Sequence, residues 1–434
     1  MSLNDFFGMV EPERFADGTS YMIGAFANVG AVETGEGLVL FDIGSEMAGE
    51  RIFHNLREIT KAPVHTIVLS HGHFDHCFGH QPFLAEIAEN GWRAPDIIAH
   101  QLLPARFEKY RMLEQYHNWI NGMQFSSVLF SRRKDPVSTK HLLVPTRLVR
   151  EGEIHEFEVG DRQFVVRAER GETDDAIWTW VPSTKTVFAG DLFISSFPNV
   201  GNPYKVQRYP KHWAIALEHM MEKSPEYLVP GHGRLISGAS KVKEALSITA
   251  RALHFVHDEV VKRLNEGKWF EDIYHEVLAA YPDEFKQSPW LQPIYGCPEY
   301  AVHASYMLYH GWYNSGNPTD IHPPRKADVS RELIALLGDG GVDRLLARAE
   351  ELHAAGSIDL AMALVDHVLL GTPALAARQG ETLDRALALK IKLVKKRIAL
   401  EPSMISRNIY QNYANELATR KKWLKKEPKD QRDI

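Results

Sequence analysis

The feature that most narrows what this chain can fold into is seven residues long. Ser70-His71-Gly72-His73-Phe74-Asp75-His76 follows directly on Thr66-Ile67-Val68-Leu69, a β-branched apolar run that reads as a strand. Three histidines and an aspartate at a strand-to-loop junction suit a metal site, because neutral imidazole nitrogens and carboxylate oxygens are zinc ligands. Such junctions are also where α/β folds hold their sites. One ion cannot use all four side chains of so tight a turn. Dividing them between two ions is the natural solution.

The surrounding pattern fits this placement. Leu38 to Phe41, Phe164 to Val166, Ile177 to Val181, Thr186 to Phe188 and Tyr227 to Val229 read as further strands. Helices fit at Glu46 to Glu58, Gln81 to Glu89 and Trp213 to Glu222. Interleaved strands and helices predict an α/β layered domain over residues 1–240. Beyond Gly238 the character changes. Lys241 to Asn265 is one long amphipathic helix pattern, and a second helix runs from Glu271 to Ala280. Val342 to Leu352 and Ile358 to Leu369 read as a helical hairpin of tetratricopeptide type. Residues 241–434 are therefore expected to form an all-helical domain, with a frayed, highly charged end from Lys421 to Ile434.

Bulk properties exclude several classes. A net charge of −6 gives no support for a nucleic-acid partner. The two cysteines, Cys77 and Cys297, exclude a disulfide framework and fit a reducing compartment, so the protein is expected in the cytoplasm. No apolar run of about 18 residues occurs, so no membrane span is expected. Met1 to Asp5 has no positive segment leading into an apolar run, so no signal peptide is expected.

His71-Gly72-His73-Phe74-Asp75-His76 resembles the signature motif of the metallo-β-lactamase superfamily. Asn28 to Val32 and Gly37 to Gly44 resemble the first strands of that fold. The resemblance implies an αββα sandwich and three further ligands at strand ends. Phe188-Ala189-Gly190-Asp191 resembles the segment carrying the bridging acid, and Val229-Pro230-Gly231-His232-Gly233 the one carrying the last histidine. Most members place a histidine about twenty residues before the bridging acid. Here Glu172 lies nineteen positions before Asp191. A glutamate there resembles the alkylsulfatase branch. Glu169, Asp174 and Asp175 are neighbouring alternatives. The implied first site is His71, His73 and Glu172, and the second is Asp75, His76 and His232, with Asp191 bridging. The implied cofactors are two zinc ions per chain. Three carboxylates and a hydroxide would balance their charge, so an anionic substrate needs cations nearby. Tyr204-Lys205-Val206-Gln207-Arg208 is the candidate source.

The helical half resembles the alkylsulfatase dimerisation domain, through Leu253 to Glu266, Tyr295-Gly296, Tyr306 to Tyr313, Gly316-Asn317-Pro318 and Ser406 to Tyr410. This implies a homodimer. It also implies a hydrolase of alkyl sulfate esters, in which zinc-activated water held by Asp75 and Asp191 is the nucleophile. Tyr204, Lys205, Arg208, Tyr295 and His303 are expected to bind the anionic small-molecule ester. Trp119, Phe125, Leu129 and Phe130, in the long insert Ala99 to Val149, are candidate walls for an apolar tail. The chain departs from the family in several ways. No sterol-carrier-like domain is expected, Ala301-Val302-His303 stands where an asparagine–arginine pair is usual, and the implied bridging acid is Asp191 rather than a glutamate. Rival readings are hydrolysis of a lactone, thioester, β-lactam or phosphodiester on the same metals, an iron redox enzyme, and a non-catalytic scaffold. Cys77 and His80 read as packing or supporting residues, and Asp42 as a hydrogen-bonding anchor of the metal loop.

Overall fold

Two sheets, one of seven strands and one of six, face each other across an apolar core. The computed structural model describes residues 6–7, 11–126, 138–372 and 381–424. Leu129, Phe130 and the last residues of the charged C-terminal run lie outside the described residues.

The described chain divides into two compact units, Met1–Ile120 with Arg132–Asn314, and Asn121–Ser131 with Ser315–Ile434. In the first unit the seven-stranded sheet runs in chain order. It starts at β1 (Glu13–Phe15), β2 (Ser20–Ala25) and β3 (Ala27–Thr34) and continues through β4 (Gly37–Phe41), β5 (Val64–Val68), β6 (Asp96–His100) and β7 (Arg147–Val149). The β4–β5, β5–β6 and β6–β7 pairs are parallel. The second sheet has the order β13-β12-β11-β10-β9-β8. Its strands are β8 (Ile154–Val159), β9 (Arg162–Ala168), β10 (Ile177–Val181), β11 (Thr186–Ile194), β12 (Tyr227–His232) and β13 (Ile236–Ser237), and β11 and β12 are parallel.

Alternating apolar side chains of both sheets fill the space between them. Met22, Val32, Val39, Phe41, Val68 and Ile98 meet Phe164, Val166, Ile177, Phe188 and Val229. Phe41 and Phe188 stack with centroids 3.8 Å apart and planes at 11°. Phe188→Ala is expected to cost about 3–5 kcal/mol, the usual loss for a truncated core phenylalanine. A urea denaturation curve measures it.

The outer face of the second sheet is covered by helices Pro210–Glu222 and Ala239–Asn265, which bury Trp213, Leu217, Met220, Leu246, Leu253 and Val256. Helices Phe270–Ala280 and Pro298–Tyr309 join the same core through Ile273, Val277, Ala301 and Val302. The sequence division at 240/241 follows the switch from mixed elements to continuous helix. The packing division at 314/315 follows the core, which these helices share with β10 and β11. On the first sheet, helix Gly49–Ile59 packs against β2 and buries Ile52 and Leu56.

The second unit is built on helices Lys326–Leu336, Gly341–Ala354, Ile358–Gly371, Glu381–Leu400 and Met404–Leu424. The expected hairpin is present, with Gly356 in the left-handed region at φ +84° between its helices. Leu346, Val365, Val368, Leu387, Leu393 and Leu417 form its core. Lys390 is buried there, its ammonium 2.8 Å from Asp366 and donating to the Met362 carbonyl. Among the described residues no helix is long and apolar enough to cross a membrane.

Candidate metal centre

Strand ends bring the acidic and imidazole side chains together. The chain leaves β5 at Val68, and the motif turns into the short helix Phe74–Cys77, which carries Asp75 and His76. Glu172 comes from the connection between β9 and β10. Asp191 lies in β11, beside a register irregularity at Gly190, whose φ is +51°. His232 closes β12, and Ile194 of β11 pairs with it. Parallel pairing of β11 and β12 brings these strand ends together, and the Asp191 and His232 side chains meet across them at 3.4 Å.

Two groups result, one of His71, His73, Glu172 and Asp191, the other of Asp75, His76 and His232. Within each, the candidate ligand atoms lie within 4.8 Å of one another. His71 Nε2 is 3.4 Å from Glu172 Oε2 and 3.8 Å from Asp191 Oδ2, and His73 Nδ1 is 3.2 Å from Glu172 Oε2. The other Asp191 oxygen, Oδ1, is 3.2 Å from His76 Nε2 and 3.4 Å from His232 Nε2. Asp75 Oδ2 is 3.5 Å from His232 Nε2. Ligand atoms held tetrahedrally about 2.1 Å from a zinc ion stand about 3.4 Å apart, so the spacing fits metal ligation. Asp191 offers one oxygen to each group.

The donor set fits a metal in a second way. His76 Nε2, Glu172 Oε2 and Asp191 Oδ1 are buried and have no hydrogen-bond partner. Buried polar atoms are normally paired. Burial raises the Glu172 and Asp191 carboxyls, but their cationic neighbours override it. Arg208 holds Glu172 far below the carboxylate range, and His232 and His76 do the same for Asp191. Burial pushes the His73 imidazole down to about 4 against the pull of Glu172, so the ring is neutral and its nitrogens can bind metal.

Surrounding groups fix the candidate ligands. Asp42 accepts hydrogen bonds from Ser70 N and Ser70 Oγ, both at 2.7 Å, and pairs with His76 Nδ1 at 2.7 Å. That leaves His76 Nε2 aimed at the cluster. His232 Nδ1 pairs with the Phe26 carbonyl at 2.6 Å to the same effect. Buried Cys77 donates to the His71 carbonyl at 2.8 Å. Buried His80 makes a 3.0 Å contact with Gln81.

The sequence reading missed the clamp beneath the loop. Asp175 accepts from Gly72 N at 3.0 Å and lies 2.8 Å from Arg106 Nε. Burial opposes the Asp175 charge, and Arg106 outweighs it, holding the carboxyl down at about 2. Of the alternatives to Glu172, Asp174 also pairs with Arg106, and Glu169 accepts from Trp178 Nε1 at 2.7 Å. The acidic run showed that carboxylates were available, but not that each had a different partner.

Gly231 shows how close the packing is. A Cβ there would fall 2.0 Å from Asp191 Oδ1 and 2.7 Å from the Gly190 carbonyl carbon. Gly231→Ala must displace Asp191. It is expected to weaken metal retention by about 10–100-fold, the loss typical when a ligand's support is disturbed. Metal analysis after dialysis against a chelator measures this, with circular dichroism to confirm folding.

The candidate substrate residues divide. Arg208 is buried, paired with Glu172 and donating to the Asn199 carbonyl at 2.6 Å. Half-buried Lys205 feels the same cluster. Burial and Arg208 pull its ammonium down to about 7, against Asp75 and Glu172. The Tyr295 phenol is pushed up by burial and then by Glu172, which places it in the same field. The Tyr204 ring meets Trp119 edge-on at 5.6 Å, and Trp119 is exposed. Phe125 is buried. His303 is exposed on helix Pro298–Tyr309, with its ring 4.4 Å from Phe270 and 5.4 Å from Tyr274. Position in a motif did not reveal which way that helix faces.

Known proteins match along the same lines. A family model described as metallo-beta-lactamase superfamily matches residues 23–232, and one described as alkyl sulfatase dimerisation matches residues 270–420. A linear primary-alkylsulfatase from Pseudomonas sp. is 25% identical over 345 residues, covering 75% of this chain and 63% of that protein. An (R)-specific secondary-alkylsulfatase from Pseudomonas sp. is 22% identical over 367 residues, covering 80% of this chain and 54% of that protein. The solved structure of a stereoselective inverting sec-alkylsulfatase from Pseudomonas sp. superposes with a TM-score of 0.78 at 19% identity. The match covers 92% of this chain and 64% of that one, and shows a shared fold. The chain spans between about half and just under two thirds of the length of these relatives.

Proposed function

From a chain that joins a metallo-β-lactamase superfamily domain to an alkyl sulfatase dimerisation region, we infer a binuclear zinc hydrolase of alkyl sulfate esters. The observation that carries this reading is Asp191, with one carboxylate oxygen at 3.8 Å from His71 and the other at 3.2 Å from His76. His71, His73 and Glu172 would hold one ion, and Asp75, His76 and His232 the other, with Asp191 shared between them. Zinc bound there supplies Lewis acidity and brings the pKa of water to about 7.

The chain's own residues do the rest. Asp75 and Asp191 orient the attacking water and accept its hydrogen bonds. Arg208 and Lys205 receive the sulfate head, and Tyr295 directs its hydroxyl to the same group. Tyr204 and Trp119 offer aromatic faces to the alkyl tail. We assign catalysis to residues 1–240 and homodimer formation to residues 241–434. The alkylsulfatase relatives support the substrate class. Two buried free thiols support a reducing compartment, the cytoplasm.

A substrate panel tests this. Zinc-loaded protein is offered dodecyl sulfate, a secondary alkyl sulfate, an aryl sulfate, a lactone and a β-lactam. Sulfate release from the alkyl esters is expected. Turnover of only the lactone or β-lactam would move the substrate to another class.

A further inference from the structure

The second metal group is enclosed by a part of the chain far from it in sequence. Phe6 and Phe7 are buried, with 2% and 9% of their surfaces exposed. The Phe6 ring stacks on the His232 imidazole at 5.2 Å, with planes at 19°. Phe7 meets the same imidazole edge-on at 5.6 Å and stacks on Phe26 at 4.8 Å, with planes at 12°. Phe26 itself lies edge-on to His232 at 5.8 Å. Three phenylalanines thus surround one candidate ligand.

Phe26 adds an independent sign. Its φ is +62°, in the left-handed region that a bulky aromatic rarely occupies. A conformation of this kind persists only where its surroundings hold it. Here it turns the Phe26 carbonyl onto His232 Nδ1 at 2.6 Å. Phe7, stacked on the Phe26 ring, stands where it can hold that conformation. The same pair packs against Tyr295, at 5.6 Å from Phe6 and 5.7 Å from Phe7.

We propose that Phe6 and Phe7 are positioning residues for His232. They fix the plane of its imidazole and, through Phe26, the hydrogen bond that leaves Nε2 facing Asp75 and Asp191. They thereby set how tightly the Asp75–His76–His232 group keeps its metal. The proposal rests on the two-metal reading above. It differs from plain core packing in one respect, since only one of the two groups should feel the change.

The test uses the full chain loaded with zinc and titrated with a chromogenic chelator. The wild type is expected to release zinc in two steps. In Phe6→Leu/Phe7→Leu, which keeps apolar volume but not the flat rings, one step should move to about 10–100-fold lower chelator concentration, the range for lost ligand support. The other step should stay in place. His232→Ala, which removes the ligand itself, identifies the step that moves. Superimposed curves for the Leu pair and the wild type would overturn the proposal, as would an equal shift of both steps. A wild type that takes up no zinc, or a single ion, would overturn the two-metal reading and this proposal with it.

Discussion

Glu172→Ala is expected to abolish most sulfate release and to lower the zinc content below two per chain. The loss should exceed the roughly 10–100-fold that follows from disturbing a ligand's neighbours, because on the proposed reading the change removes a ligand itself. A second consequence separates Glu172 from the other candidate ligands. Its carboxylate is the partner of buried Arg208, so truncation leaves a guanidinium unpaired in the interior. Breaking a buried pair costs about 3–5 kcal/mol. Glu172→Ala should therefore lose stability as well as activity. His73→Ala should lose metal at much smaller cost in stability, because His73 is half-buried and its neutral ring beside Glu172 leaves no buried cation behind when it is removed. Metal analysis and thermal unfolding of both variants measure the contrast. Equal stability losses would remove Arg208 from the account.

Asp42→Ala is expected to be the most damaging change at a residue that touches no metal. Its carboxylate receives Ser70 N and Ser70 Oγ and orients His76. Each buried group left unpaired costs about 1–3 kcal/mol. The unfolding temperature should fall by something on the order of 10 °C. His76 would also lose the acceptor that fixes its tautomer, so zinc retention should weaken. The backbone at Asp42 has φ +62°, a conformation asparagine tolerates. Asp42→Asn therefore keeps the loop geometry while removing the charge. Its expected stability lies between wild type and alanine, as read by differential scanning calorimetry.

The motif residues were legible because local sequence fixes local geometry. An apolar run ending at Leu69, followed at once by imidazoles, specifies a strand end with side chains facing out of the sheet edge. The same logic applies to Asp191 and His232, each of which follows an apolar run. Asp42 was legible for a similar reason, since it directly follows Phe41, the last residue of β4, which pairs with Val68 of β5.

The rest depends on contacts between distant parts of the chain. Nothing around Phe6 and Phe7 marks them as neighbours of His232, more than two hundred residues away. Arg106 is one of three basic residues on helix Leu103–Met112, with Lys109 and Arg111, until Asp175 is placed against it. His303 shows the same dependence. Its place in a familiar stretch suggested a pocket, while the turn of its helix faces it toward Phe270 and Tyr274. Asn408 and Asn412 make the same point in the second unit, where their amides donate to the Gln124 and Met123 carbonyls.

The central claim is a pair of metal ions sharing Asp191, and anomalous scattering from zinc-loaded crystals tests it most directly. Difference maps recorded across the zinc absorption edge should show two peaks per chain. One should lie among His71, His73, Glu172 and Asp191, and the other among Asp75, His76, His232 and Asp191. A single peak, or two peaks of which only one contacts Asp191, would contradict the account.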